Sequence, residues 1–234
     1  MNLKNSRVDS ILGIATMVLM VASLYLVFIW VPNERTMGVV QRIFYFHVAA
    51  AFISFFAFSV VFVASTAHLA TRKLHWDRVA ASSAELGLVF ILMNLISGPI
   101  WAKPVWGIWW TWDARLTSTF VLGLIYIAYL MLRAYIPDRE KRAKLSAVVG
   151  IIGFIDVPIV WMSIRWWRTQ HPQPVIMGGA GSGLAPEMSV VLWFSTATFL
   201  VLFAWLLRFR LGLESMREEL DYYQEVVFAT EVER

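Results

Sequence analysis

Six apolar runs dominate this chain: about Ile11–Val31, His47–Ala70, Val79–Ile100, Leu116–Tyr135, Leu145–Ile164 and Met188–Phe209. Each is near the roughly 20 residues a helix needs to cross a bilayer's hydrocarbon, where backbone N–H and C=O groups must be satisfied within the segment. Such a chain is expected to be all-α, a polytopic membrane protein with six transmembrane helices. Composition agrees, since only 15 % of residues are charged, against about 25 % in soluble domains. The first run is too long for a cleaved signal peptide, and no small-residue cleavage site follows it.

Lysine and arginine predict the orientation. Lys4, Arg7, Arg72, Lys73, Arg78, Arg133, Arg139, Lys141, Arg142, Lys144, Arg208, Arg210, Arg217 and Arg234 fall on one side, fourteen in all; Arg35, Arg42, Lys103, Arg115, Arg165 and Arg168 fall on the other, six in all. The positive-inside rule then places both termini in the cytoplasm. Three loops face outward, about 32–46, 101–115 and 165–187, and the last contains the flexible GGAGSG stretch at 178–183. Two parts are expected: a six-helix membrane domain over 1–210 and a cytoplasmic amphipathic tail over 211–234. In the tail Leu213, Met216, Leu220, Tyr223 and Val227 recur at helical spacing, with acidic residues between them. That helix either packs on its own membrane domain or docks to a partner subunit.

Several chemistries are excluded. The chain has no cysteine, so it offers no thiol catalysis, disulfide, Fe–S ligation or covalent c-type haem attachment. No Walker-type loop is present. The net charge of +4 reads as cytoplasmic loops, and no nucleic acid partner is expected. No residue set reads as bond-making, so no enzymatic activity is expected.

The middle outer loop carries WGIWWTWDARLTS, Trp106 to Ser118. On a helix Trp106, Trp109 and Trp110 would share one face, with Trp112 and Trp101 extending it. Pro104 would limit that helix on its N-terminal side, and Gly107 would leave room for close approach. An interfacial aromatic belt is the ordinary reading of tryptophan, but a belt is spread around all helix ends, and this cluster sits mostly in one loop. A concentrated shelf suits a large, flat, apolar ligand with a polar edge; quinones, sterols, haem and sugars all qualify. The four histidines narrow the choice. His47 opens the second span at the outer surface, and His171 follows Trp166 and Trp167 in the third outer loop. His68 lies about 31 Å from His47 along a helix and so on the inner side, as does His75. Either outer histidine alone reads as structural; the two together beside the shelf read as ligands. Imidazole is a common axial ligand of haem iron, and Arg42, Lys103, Arg115, Arg165 and Arg168 are the outer cations available for propionates.

The remaining charged residues read as local structure. Asp113 either caps the fourth span's helix or pairs with Arg115. Glu85 is expected to pair with a base such as Arg78. Asp156 lies inside the fifth span, where acids are functional candidates by default; the structural alternative pairs it with a polar neighbour such as Asn94.

At these residues WGIWWTWDARLTS resembles the tryptophan-rich "WWD" signature of the haem-handling proteins of cytochrome c maturation. RIFYFHV (42–48) and VPIVWMSIRWWRTQHP (157–172) resemble those proteins' segments around their two outer histidines. Six spans and this length are most similar to the CcmC family; CcmF and CcsA-type haem lyases share the signature but are usually longer. The resemblance implies a multi-pass protein of the bacterial inner (cytoplasmic) membrane. It implies haem b as cargo at the outer face, with His47 and His171 as axial ligands. Trp106, Gly107, Trp109, Trp110, Trp112 and Asp113 would form the platform, with Arg115 beside it. It further implies delivery to a CcmE-type periplasmic haem chaperone, with a CcmD-type small membrane protein and CcmA/CcmB-type transporter subunits. Two other functions compete. A cytochrome b-like electron-transfer subunit usually needs histidines inside the bundle and often two haems. A haem transporter needs a polar path, for which the interior offers only Asp156, Asn94 and a few hydroxyls.

Overall fold

The structure is a computed structural model that describes residues 3–167, 169–171 and 183–232. Its helices are α1 (Leu3–Tyr25), α2 (Ile43–Thr71), α3 (Leu74–Trp106), α4 (Ala114–Tyr135), α5 (Arg139–Phe154), α6 (Asp156–Trp166) and α7 (Pro186–Val232), with no strand among the described residues. Among the described residues six stretches are long and apolar enough to cross a membrane; α5 and α6 together form one of them, Arg139–Trp166. Arg168, Arg234 and most of GGAGSG lie outside the described residues.

The helices outrun the apolar runs because their ends are set by local caps. α3 continues through Pro104 to Trp106 and ends where Gly107 turns left-handed at φ 77°, its N–H donating to the Lys103 carbonyl at 2.9 Å. α4 starts at a side-chain cap: Asp113 Oδ1 accepts from the Leu116 N–H at 3.0 Å. Asp138 caps α5 in the same way, accepting from Lys141 N–H at 2.6 Å. α5 and α6 are separated at Ile155, two residues after Gly153 and three before Pro158, whose ring carries no N–H for a helical bond. α7 is a single helix of 47 residues, so the tail from Leu211 begins as a direct extension of the last span. Leu213, Met216, Leu220 and Tyr223 are exposed along it.

α2 is the central helix, packed against α3, α5 and α7. Small residues allow the close approach that membrane helices use in place of a hydrophobic drive. A methyl on Gly87 would fall 2.6 Å from the Phe58 ring, and one on Gly150 would fall 2.9 Å from Ser65 Oγ. The Phe58 ring stacks on Tyr126 at 3.7 Å, which carries the contact from α2 to α4. α1 is peripheral and leans mainly on α7, where the buried hydroxyls of Ser23 and Ser195 meet at 3.0 Å.

Ion pairs close the end of the bundle opposite the WWTWD loop. Arg133 Nη1 and Nη2 donate to Asp77 at 2.6 and 2.9 Å, joining α4 to α3. Glu85 pairs with Arg210 of α7 at 2.6 and 2.7 Å, a base on the expected side of the chain, though Arg210 and not the neighbouring Arg78. Arg208 reaches Asp9 of α1 at 2.8 Å. Charges near the apolar layer pair with one another because water is scarce there, and the nearest opposite charge in space lies far along the chain.

Candidate functional site: an aromatic cavity flanked by two histidines

A cavity of about 720 Å³ lies between the N-terminal end of α2, the C-terminal half of α3, the start of α4 and the end of α6. His47 and His171 both line it, as do Trp106, Trp110, Arg115 and Arg165. Residues separated by more than a hundred positions thus meet at one place. His68 and His75 do not line it; His68 is buried at the far end of α2 with Nδ1 3.1 Å from the Lys73 carbonyl oxygen.

The loop carrying the tryptophans is not a continuation of the helix. Gly107 ends α3, and residues 108–113 are non-helical, so Trp106, Trp109 and Trp110 do not form the single helical face that their spacing predicts. The shelf is divided instead. Trp106 and Trp110 face the cavity, whereas Trp109 and Trp112 are 58 % and 74 % exposed and do not line it. Trp110 packs edge-on to Trp112 at 5.6 Å and to Phe120 at 6.4 Å, which fixes its plane. Trp109 lies under the Lys103 ammonium at 5.9 Å. Gly107 has open space around the position of a Cβ, so its role is the left-handed turn and not a close approach. Asp113 takes the capping role and also accepts from Thr111 Oγ1 at 3.0 Å; it does not line the cavity.

The cations fall into two groups. Arg115 and Arg165 line the cavity, and Arg35 joins them from the loop after α1. Arg115 Nη1 donates to the Val160 carbonyl at 2.8 Å, which ties α4 to α6 and holds the guanidinium at the cavity wall. Arg42 and Lys103 are used elsewhere. Arg42 donates to the Phe28 carbonyl at 2.8 Å and to Asn33 Oδ1 at 3.1 Å, securing the π-helical turn Leu26–Trp30. Lys103 Nζ donates to the Gly107 carbonyl at 2.9 Å. The rim loop is tightened by Glu34, which accepts from the N–H groups of Met37 at 2.6 Å and Thr36 at 2.7 Å; those bonds hold its carboxyl below the ordinary carboxylate range.

His47 is held on every side. Its Nδ1 is 2.9 Å from Ser97 Oγ, its Nε2 is 3.1 Å from Asn94 Nδ2, and its ring meets Trp101 edge-on at 5.7 Å. Asn94 Nδ2 also donates to the His47 carbonyl at 3.0 Å. Asn94 is therefore engaged with the histidine and not with Asp156, whose Oδ2 is buried without a partner among the described residues. Two indole N–H groups at the cavity, Trp101 Nε1 and Trp110 Nε1, and the amide oxygen Gln41 Oε1 are likewise buried without partners among the described residues. Gln41, Asn94, Ser97 and Arg35 escape a reading by motif. The available signal is polarity in an apolar run: Asn94 and Ser97 are three apart, and so share a helix face, in the otherwise apolar stretch VFILMNLISGPI.

Known proteins resemble the chain over most of its length. Residues 2–225 match the family described as heme exporter protein C. Heme exporter protein C of Bradyrhizobium diazoefficiens is 33 % identical over 215 residues, covering 92 % of this chain and 80 % of that protein. Its namesake in Escherichia coli K12 is 32 % identical over 86 % of this chain and 80 % of its own length. The Haemophilus influenzae protein of the same name is 29 % identical over 91 % and 87 %. With its six apolar spans and its match over nearly the whole length, the chain belongs to the heme exporter protein C family.

Proposed function

We propose that this protein binds haem b in the cavity, with His47 and His171 as axial ligands, and presents it to a CcmE-type chaperone outside the bacterial inner membrane. The observation that carries the reading is the meeting of His47 and His171 in one cavity with Trp106 and Trp110. The residues fit the cargo. A volume of about 720 Å³ is within the ordinary range for organic ligands, the walls are mostly aromatic and aliphatic, and Arg35, Arg115 and Arg165 supply cations for two propionates. The unpartnered Trp101 and Trp110 N–H groups are donors suited to a ligand's polar edge.

Haem supplies the iron; this chain's residues supply position. Two imidazoles retain the ring and the aromatic walls orient it, since each aromatic contact is worth about 1 kcal/mol and is weakly directional. The fourteen-to-six charge asymmetry supports an outward-facing cavity. On that reading the exposed Trp109 and Trp112 form the surface a soluble chaperone meets first. CcmD-type and CcmA/CcmB-type subunits complete the expected complex, and no bond-making step is assigned to this chain. Transfer separates this reading from a cytochrome b-like subunit. Haem-loaded protein in detergent is mixed with the soluble domain of an apo CcmE-type chaperone, and the two are separated and scanned. Haem moves to the chaperone on this account; haem that stays with the membrane protein under all conditions contradicts it.

A further inference from the structure

The hydrogen bonds around His47 fix which nitrogen carries its proton. The His47 backbone carbonyl can only accept, so the Asn94 atom 3.0 Å from it is the amide nitrogen. That same nitrogen lies 3.1 Å from His47 Nε2 and directs its second hydrogen there, so Nε2 is the unprotonated nitrogen. Nδ1 then carries the hydrogen and donates it to Ser97 Oγ at 2.9 Å. Ser97 accepts because its own hydrogen goes to the Met93 carbonyl at 2.7 Å. The chain Asn94–His47–Ser97–Met93 is consistent in only this direction.

A neutral imidazole ligates a metal through its unprotonated nitrogen, and the N–H on the other side sets orientation and basicity. In His47 the nitrogen suited to ligation is the one Asn94 already holds. We infer that Asn94 is a positioning residue that competes with haem iron for His47 Nε2, while Ser97 keeps the imidazole in the ligating tautomer. The inference rests on the proposed ligation by His47 and adds a release device to it. Loading exchanges the Asn94 bond at Nε2 for iron, while Asn94 keeps its bond to the His47 carbonyl and so stays in place. When the iron–nitrogen bond opens, Asn94 is at hand to recapture Nε2 and oppose rebinding. A cargo protein needs this behaviour, because a ligand held for delivery must also leave.

The sign of the effect distinguishes this role from a structural brace. Haemin-loaded full-length protein in detergent is mixed with excess apomyoglobin, and haem loss is followed at the Soret band. Asn94→Ala should slow haem loss about five- to tenfold, the weight of one hydrogen bond. Ser97→Ala should speed it about tenfold or more, as loss of a partner behind a metal-bound histidine does. Asn94→Leu keeps most of the side chain's volume but offers Nε2 no hydrogen, so it should slow haem loss to a similar extent. Loss from Asn94→Ala as fast as wild type or faster overturns the inference. If that variant fails to insert, Asn94→Leu decides: haem loss as fast as wild type or faster overturns it. His47→Ala reports on the parent reading separately. A wild-type Soret band in that variant removes His47 as a ligand, whereas a changed band with unaltered Asn94 variants removes only the competition.

Discussion

Arg133 and Asp77 form a two-bond ion pair in which the carboxylate side chain is 8 % exposed and the guanidinium side chain 16 %. It links α4 to α3 at the end remote from the cavity. Removing one member strands a charge in a poorly hydrated place, so Asp77→Ala should cost about 3–5 kcal/mol. The Glu85–Arg210 pair is 35 % and 29 % exposed, and Glu85→Ala should cost nearer 1 kcal/mol. The check is thermal unfolding of both variants in one detergent; equal losses would contradict the ranking. Replacing Asp77 and Arg133 together by leucine should recover much of the single-variant loss.

Gly87 is the tightest glycine contact in the bundle, 2.6 Å from the Phe58 ring for an added methyl. The ring cannot withdraw freely because it stacks on Tyr126 at 3.7 Å. Gly87→Ala should therefore destabilise the bundle by about 1–3 kcal/mol and lower its melting temperature. Gly87→Ala with Phe58→Leu should regain part of that loss. A single variant as stable as wild type would show that α2 and α3 separate without penalty.

The spans were legible because apolar runs of bilayer length admit one backbone solution, and all six appear as helices. Their ends were less legible, because α3 stops on the left-handed turn of Gly107 and α4 starts on the Asp113 cap, both beyond the apolar stretch. The meeting of His47 and His171 followed from topology, since both precede or follow a span on the same side. The arrangement of the tryptophans did not follow, because a periodicity of 3.6 holds only within a helix and Gly107 ends it. Glu85 illustrates a further limit: its partner Arg210 is 125 residues away, and local spacing favours Arg78. Asn94 stood out as a polar residue in an apolar run, but nothing local separated Asp156 from His47 as its partner.

Orientation is open to a direct chemical test because the chain has no cysteine. Thr36→Cys lies in the exposed rim loop near the cavity and Lys144→Cys lies on the exposed first part of α5. An impermeant thiol reagent applied to cells with a permeable outer membrane should label Thr36→Cys and spare Lys144→Cys. The reverse pattern would place the cavity on the inner side.

The divided tryptophan loop predicts divided phenotypes. Trp106→Ala and Trp110→Ala remove cavity walls and should lower haem occupancy several-fold. Trp109→Ala and Trp112→Ala alter exposed rings and should leave occupancy within about twofold while lowering transfer to the chaperone, since each lost aromatic contact is worth about 1 kcal/mol. Haem content per protein and transferred haem are measured on the same preparations. Equal loss of occupancy in all four variants would mean that the loop acts as one platform.

The most direct measurement of the central claim is the absorption spectrum and haem content of protein purified from haem-replete membranes, oxidised and reduced, for wild type and for His47→Ala, His171→Ala and His68→Ala. Low-spin bands should appear in wild type. Loss of either cavity histidine should shift the Soret band or reduce haem content several-fold. His68→Ala should retain the wild-type spectrum, because His68 is buried at the opposite end of α2. Wild-type spectra in both His47→Ala and His171→Ala, or haem lost in His68→Ala alone, would contradict the account.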